Sequence, residues 1–259
     1  MSFLAVRNLW KEYGDHVVLE RVGLSVEKGE FVAIVGASGC GKTTFLKLLL
    51  SEEQPTRGEI SLQGTRLAPE PGSDRGVVFQ RYSVFPHLTV LQNVMIGLEF
   101  DGAPVMGRLF GARRRACADA SREMLATVGL SEATGLYPDE LSGGMQQRLA
   151  LAQALVQSPR ILLLDEPFGA LDPGIRLDMH ELVTGLHESL GLTVFMVTHD
   201  ISEGFKLGTR LLVFDKIRQD PHSPQSFGAS ITFDLPTAQE RSSGEVHEIE
   251  AAVHGSETR

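Results

Sequence analysis

Gly36-Ala37-Ser38-Gly39-Cys40-Gly41-Lys42-Thr43 matches the pattern G-x-x-x-x-G-K-[ST], and its flanks leave few folds open. Phe31-Val32-Ala33-Ile34-Val35, just before it, is a continuous apolar run of the kind that forms a strand buried on both faces. Thr43 to Leu50, just after it, reads as a helix. A buried strand that runs through a glycine loop into a helix belongs to α/β proteins with a mainly parallel sheet. Gly36, Gly39 and Gly41 let the backbone curl, so that the amides of the loop, those of Ala37, Ser38 and Cys40 included, point inward at a phosphate. Lys42 is then placed to bridge the β- and γ-phosphates of a nucleotide, Thr43 to offer a hydroxyl to Mg²⁺, and Thr44 to meet the α-phosphate. Cys40 sits at the start of the helix, where the dipole favours a thiolate.

A second apolar strand, Ile161-Leu162-Leu163-Leu164, ends in Asp165 and Glu166. Two readings are open: the carboxylates cap the turn before Pro167, or Asp165 holds Mg²⁺ while Glu166 polarises a water against the last phosphate of ATP. Beside the glycine loop the second is favoured, and it describes an enzyme that hydrolyses ATP. Leu141-Ser142-Gly143-Gly144 precedes another helix. It is an ordinary N-cap or a second anion-binding element; one nucleotide seldom needs two such caps, so Ser142, Gly143 and Gly144 read as serving the γ-phosphate of ATP held by a second copy. His199 follows the strand Thr193–Val197 and is a structural hydrogen-bonder or, at the carboxyl edge of the sheet, a donor to charge developing on the γ-phosphate. Gln80 ends the strand Val77-Val78-Phe79-Gln80 and is a surface residue or a ligand to Mg²⁺ or the attacking water. Tyr13, in the polar stretch Lys11-Glu12-Tyr13-Gly14 before the first strands, is packing or an aromatic platform for adenine.

The chain of 259 residues suits one large domain, or one with a small lobe. Short strands are expected at Val17–Leu19, Gly23–Val26 and Glu59–Leu62. From about 88 to 158 the pattern is helical, with Ala118–Gly129 amphipathic, and strands resume at Ile161–Leu164, Thr193–Val197 and Arg210–Phe214. Residues 101–115 carry Arg108, Arg113, Arg114 and Arg115, a solvated basic loop leading into a helix or a contact with a partner or lipid headgroups. After Asp215 the period is lost, too short and polar a stretch for a regulatory domain, and the last twenty residues are expected to be disordered. Two cysteines build no disulfide framework and fit a reducing cytosol. A net charge of -9 argues against a nucleic-acid coat. No apolar run approaches the roughly 18 residues of a membrane span, and the N-terminus has no secretory signal pattern.

Taken together, residues 4 to 215 resemble the nucleotide-binding subunit of ABC transporters. The resemblance implies an α/β fold, a P-loop NTPase core with an N-terminal antiparallel β subdomain and an inserted helical subdomain: an ATPase domain over 1–215, its helical part over 88–158, and a C-terminal extension over 216–259. It implies Tyr13 stacked on adenine, Gln80 as the lid glutamine, Leu141–Met145 as the signature, Asp165 on Mg²⁺, Glu166 as catalytic glutamate, Gly169-Ala170-Leu171-Asp172 as the D-loop and His199 as the switch histidine. Met145 stands where the family most often has Gln, keeping the length and losing a hydrogen bond. Ile201-Ser202-Glu203-Gly204 departs from the usual Glu-Ala while retaining Glu203.

Glu166–Asp172 and Thr198-His199-Asp200 are similar to bacterial importers. Gln80–Val90 resembles the nitrate, sulfonate and taurine importer group, and within it the subunits of urea or guanidine carboxylase systems. The expected partners are a second copy, transmembrane permease subunits and, indirectly, a secreted solute-binding protein, with the chain peripheral on the cytoplasmic face of the membrane. Residues Tyr82–Leu88 are expected to meet the permease through Phe85, unless Phe85 is core. Competing readings are the ATPase of an exporter or lipoprotein-extracting system, a soluble regulatory ATPase, and a DNA-repair or chromosome-organising ATPase. The last places a coiled coil between loop and signature, and the heptads for one are missing here.

Overall fold

The computed structural model describes residues 2–80, 83–102, 111–218, 222 and 225–237. They fall into two compact units, one of residues 1–72 and 187–259 and one of residues 73–186. In the first unit, strand β1 (Leu4–Tyr13) turns through Gly14 and Asp15 into β2 (His16–Val26), paired antiparallel from Leu4↔Val26 to Tyr13↔His16 with three register shifts between. Strand β3 (Phe31–Gly36) and helix α1 (Lys42–Leu50) follow, then β4 (Arg57–Leu62), antiparallel to β1, and the short β5 (Thr65–Arg66). The order β2-β1-β4-β5 is an antiparallel sheet whose buried positions, Leu4, Val6, Leu9, Leu19, Val22, Leu24 and Val26, largely alternate along each strand. The two short strands expected at 17–19 and 23–26 are one strand. Asn8, at φ 45, and Arg21, at φ 50, lie at two of the three register shifts, and these bulges do not end the ladder. Tyr13 therefore closes the first strand rather than preceding it.

In the second unit, β6 (Arg75–Val78) lies parallel to β7 (Ile161–Asp165), with Arg75 opposite Ile161 and Val78 opposite Leu164. Between them in the chain come α2 (Val90–Gly102), α3 (Gly111–Thr127) and α4 (Gly143–Leu155), each packed on the other two. Gln153 of α4 and Gln157, two residues past its end, fasten it to α2: Gln153 donates to the Asn93 carbonyl (3.1 Å) and Gln157 to that of Gly97 (2.6 Å). Residues 103–110, Arg108 among them, lie outside the described residues. Arg113, Arg114 and Arg115 are helical, not a loop, in keeping with the good helix propensity of arginine, and Arg114 faces Glu99 at 3.6 Å. Helix α5 (Pro173–Leu190) follows β7, starting on a proline and burying Met179, Val183 and Leu186 at helical spacing. Its last turn is counted with the first unit.

The first unit is completed by β8 (Thr193–Val197), α6 (Ile201–Leu207), β9 (Arg210–Asp215) and β10 (Ser230–Pro236). Strand β3 runs between β8 and β9, parallel to both, with Ile34 opposite Val197 and Gly36 opposite Phe214. Every residue of β3 and β8 is buried, the burial expected of central parallel strands. Beyond residue 215, where the sequence shows no period, β10 adds antiparallel to β9. Arg210 holds it there, donating from Nε and Nη2 to the two carboxylate oxygens of Asp234 at 2.6 and 2.7 Å. The stretch expected to be disordered lies outside the described residues.

Candidate functional site

The glycine loop leaves β3 at its carboxyl end and closes onto α1. Gly36 is required by space. Its φ is 150°, and a Cβ there would sit 2.2 Å from the Phe214 carbonyl oxygen of the neighbouring strand. Lys42 is nearly buried and its ammonium donates to the carbonyls of Gly36 (2.6 Å) and Ala37 (2.9 Å). A cation thus sits inside the curl of the loop, beside the amides of a helix start, and both favour an anion at this point. Ser38, Gly39 and Thr43 are exposed on the loop, while Ala37, Gly41 and Thr44 are half-buried.

Cys40 departs from its expectation. The thiol is buried under the loop, with Lys42 Nζ 3.9 Å from Sγ, and burial pushes its pKa up, outweighing the pull of the Lys42 charge. The helix end does not make it a thiolate, because the group is out of water. Tyr13 is 46% exposed. Its hydroxyl donates to Glu53 and also meets the Thr44 hydroxyl, and burial together with the Glu53 charge pushes its pKa up to about 12. Lys11 Nζ lies 4.7 Å from the ring centroid. The ring is therefore fixed beside the first turn of α1 while much of it stays open to solvent.

His199 follows β8, and because β8 and β3 are parallel and in register, it leaves the sheet at the same edge as the glycine loop. The turn that presents it is braced on both sides. Thr198 donates from its backbone to the Ile34 carbonyl (3.1 Å) and from Oγ1 to the buried Glu203 carboxylate (2.7 Å). Asp200 caps α6, accepting from the amides of Ser202 (2.8 Å) and Glu203 (3.2 Å). His199 itself is exposed.

The second unit carries the carboxylates. Asp165 ends β7 at 8% exposure, and Glu166 follows at φ 47°, a left-handed backbone that costs a non-glycine residue about 1–2 kcal/mol. Phe168, buried against the edge of His180 (ring centroids 4.7 Å apart), anchors the chain just beyond. The parallel register of β6 and β7 brings Gln80, two residues past the end of β6 rather than within it, to Glu166: Gln80 Nε2 donates to Glu166 Oε2 at 3.1 Å. Ser142 is the N-cap of α4, accepting from the Met145 amide (3.4 Å), and both Ser142 and Gly143 are exposed. The cap reading is therefore realised, and the exposed hydroxyl is still at a helix N-terminus where anions bind. Gly144 is buried, and a Cβ there would meet Ile175 of α5 at 2.6 Å, so this glycine also serves close packing. Within this unit the Asp165 carboxylate and the Gln80 amide oxygen are hard oxygen donors of the kind that suit Mg²⁺, an ion that commonly completes its shell with phosphate oxygens and water.

Phe85 is 40% exposed and so is not core. The loop that displays it is built on the fully buried Asn93, which accepts from the Phe85 amide (2.8 Å) and donates to the carbonyls of Phe85 (3.0 Å), Leu88 (2.9 Å) and Thr89 (3.0 Å). Tyr82 lies outside the described residues. Asn93 and Gln147 are supports absent from the sequence analysis, and Glu203, noted there only as retained, is a third. Polar residues at otherwise apolar-patterned positions of helices were the available signal.

A family model described as ABC transporter matches residues 19–169. The nitrate import ATP-binding protein NrtD of Synechocystis is 39% identical over 91% of this chain and 83% of its own length. The aliphatic sulfonates import ATP-binding protein SsuB 2 of Pseudomonas aeruginosa is 39% identical over 96% of this chain and 82% of its own length. The sulfate/thiosulfate import ATP-binding protein CysA 2 of Chromobacterium violaceum is 44% identical over 82% of this chain, which spans only 56% of that relative. Among solved structures, the dimeric structure of a bacterial ABC transporter cassette superposes with a TM-score of 0.74 at 29% identity, over 92% of this chain and all of that one.

Proposed function

The chain belongs to the ABC transporter family, and we propose that it is the ATP-hydrolysing subunit that powers import of a small solute across a membrane. The observation that supports this best is the Gln80–Glu166 pair, a carboxylate held at the end of a buried strand in a costly backbone conformation, which packing alone does not call for. The loop Gly36–Thr43 holds the phosphates, with Lys42 on the β- and γ-phosphates, Thr44 on the α-phosphate and Tyr13 against adenine. Thr43, Asp165 and Gln80 would hold Mg²⁺, which would supply positive charge to the phosphate oxygens. Glu166 takes the proton of a water whose oxygen attacks the γ-phosphorus as the bridging β–γ bond breaks, leaving ADP and phosphate. His199 donates to the charge that develops on the transferred group.

Ser142, Gly143 and Gly144 meet the ATP held by a second copy, so two nucleotides are sandwiched and closure of the pair moves attached permease subunits. Phe85, exposed on its Asn93-built loop, is the anchor for that attachment. We keep residues 1–215 as the ATPase domain, with 88–158 as its helical part. Among the described residues no helix is long and apolar enough to cross a membrane, and our reading places the chain at the cytoplasmic face against subunits that do. The import functions named for the relatives favour import over export, with solute delivered by a secreted binding protein.

Complementation tests the shared site. Ser142→Ala and Lys42→Ala subunits are each expected to be nearly inactive, and their mixture to recover activity from one composite site that has both an intact loop and an intact signature. Two folded variants that never complement would contradict the arrangement.

A further inference from the structure

Gln147 has no part in the chemistry above, yet it is a fully buried polar side chain on the helix that Ser142 caps. Its Nε2 donates to the carbonyl oxygen of Pro167. That carbonyl belongs to the residue directly after Glu166. Proline has no N–H to offer, and the Gly169 amide reaches the Glu166 carbonyl only at 3.4 Å. The same helix is locked on a second side, where Gly144 abuts Ile175. Signature helix and catalytic turn are therefore joined by a directional bond, not by apolar contact alone.

We infer that Gln147 is a positioning residue: it fixes the Glu166–Pro167 turn to the helix bearing Ser142, so that a shift of that helix is felt at the carboxylate of the same subunit. This rests on Glu166 being the group that polarises water. Misplacing such a group by an ångström can cost about 10²-fold in rate, so the loss should appear in kcat and not in nucleotide affinity.

The full chain with three substitutions provides the test, with ATPase kcat, KM for ATP and melting temperature measured on each. Gln147→Leu removes the donor and should lower kcat by about ten- to a hundredfold with KM within about twofold. Gln147→Glu keeps the shape, and its protonated form can donate to Pro167 while its carboxylate cannot. Its activity relative to wild type should therefore rise as pH falls from about 8 to about 6. Folded variants with kcat within about twofold of wild type, or a Gln147→Glu ratio flat with pH, overturn the inference. If Gln147→Leu does not fold, the pH profile of Gln147→Glu decides alone. Glu166→Gln is the control. Its inactivity alongside unaffected Gln147 variants sinks only this inference, whereas full turnover in Glu166→Gln sinks the reading beneath it.

Discussion

The Phe214 carbonyl decides what residue 36 can be. An alanine there would place Cβ 2.2 Å from that oxygen, whereas at Gly39 nothing lies within 4 Å and only the left-handed φ of 77° opposes a side chain. Gly36→Ala should cost about 2–4 kcal/mol through overlap and strain, and Gly39→Ala about 1–2. At about 2–4 °C per kcal/mol for a chain of this size, thermal unfolding should separate them, with Gly36→Ala melting lower. Equal melting temperatures would show that the strand pair opens without cost. At this scale the sequence carries chemistry better than conformation. Lys42, Asp165 and Glu166 are legible from spacing and from the apolar strands before them, but the positive φ of Glu166 and the Gln80 contact depend on strand register, which no spacing reveals. Cys40 misleads because the helix-end argument takes no account of burial.

Among the elements, the loop before α2 is the one to perturb. Phe85 is exposed while Asn93, beneath it, satisfies that loop's backbone, so truncating the ring leaves the scaffold intact. Phe85→Ala should keep its melting temperature and the ATPase of the isolated subunit, while transport by the assembled system falls. A stable variant with normal transport removes Phe85 from the interface, and joint loss of stability and ATPase returns it to the core. Strands β3, β7 and β8 were readable because strands buried on both faces are unbroken apolar runs. Helix α5 is hard to read from sequence. Its buried positions follow the helical period, but Leu177 and Leu190 on the exposed side blur the stripe. Strand β10 was hidden for another reason: an edge strand takes its register from a partner, here through Arg210 and Asp234, far apart in sequence.

For the molecule as a whole, the residues of the proposed chemistry are spread over both units. The first unit brings the glycine loop, Tyr13 and His199, and the second brings Gln80, Asp165, Glu166 and the Ser142 cap. The motifs made the family readable because each follows from a phosphate's demand for amides, a cation or a carboxylate. The solute was not readable, since in this account it touches other subunits. The central claim is that Glu166 drives hydrolysis within an ATP-closed pair. It is tested most directly by Glu166→Gln, which keeps the shape and removes the charge. Size exclusion with ATP should show a persistent dimer, and turnover should fall by about 10²–10⁴. A variant that stays monomeric with ATP bound, or that turns over at the wild-type rate, would contradict it.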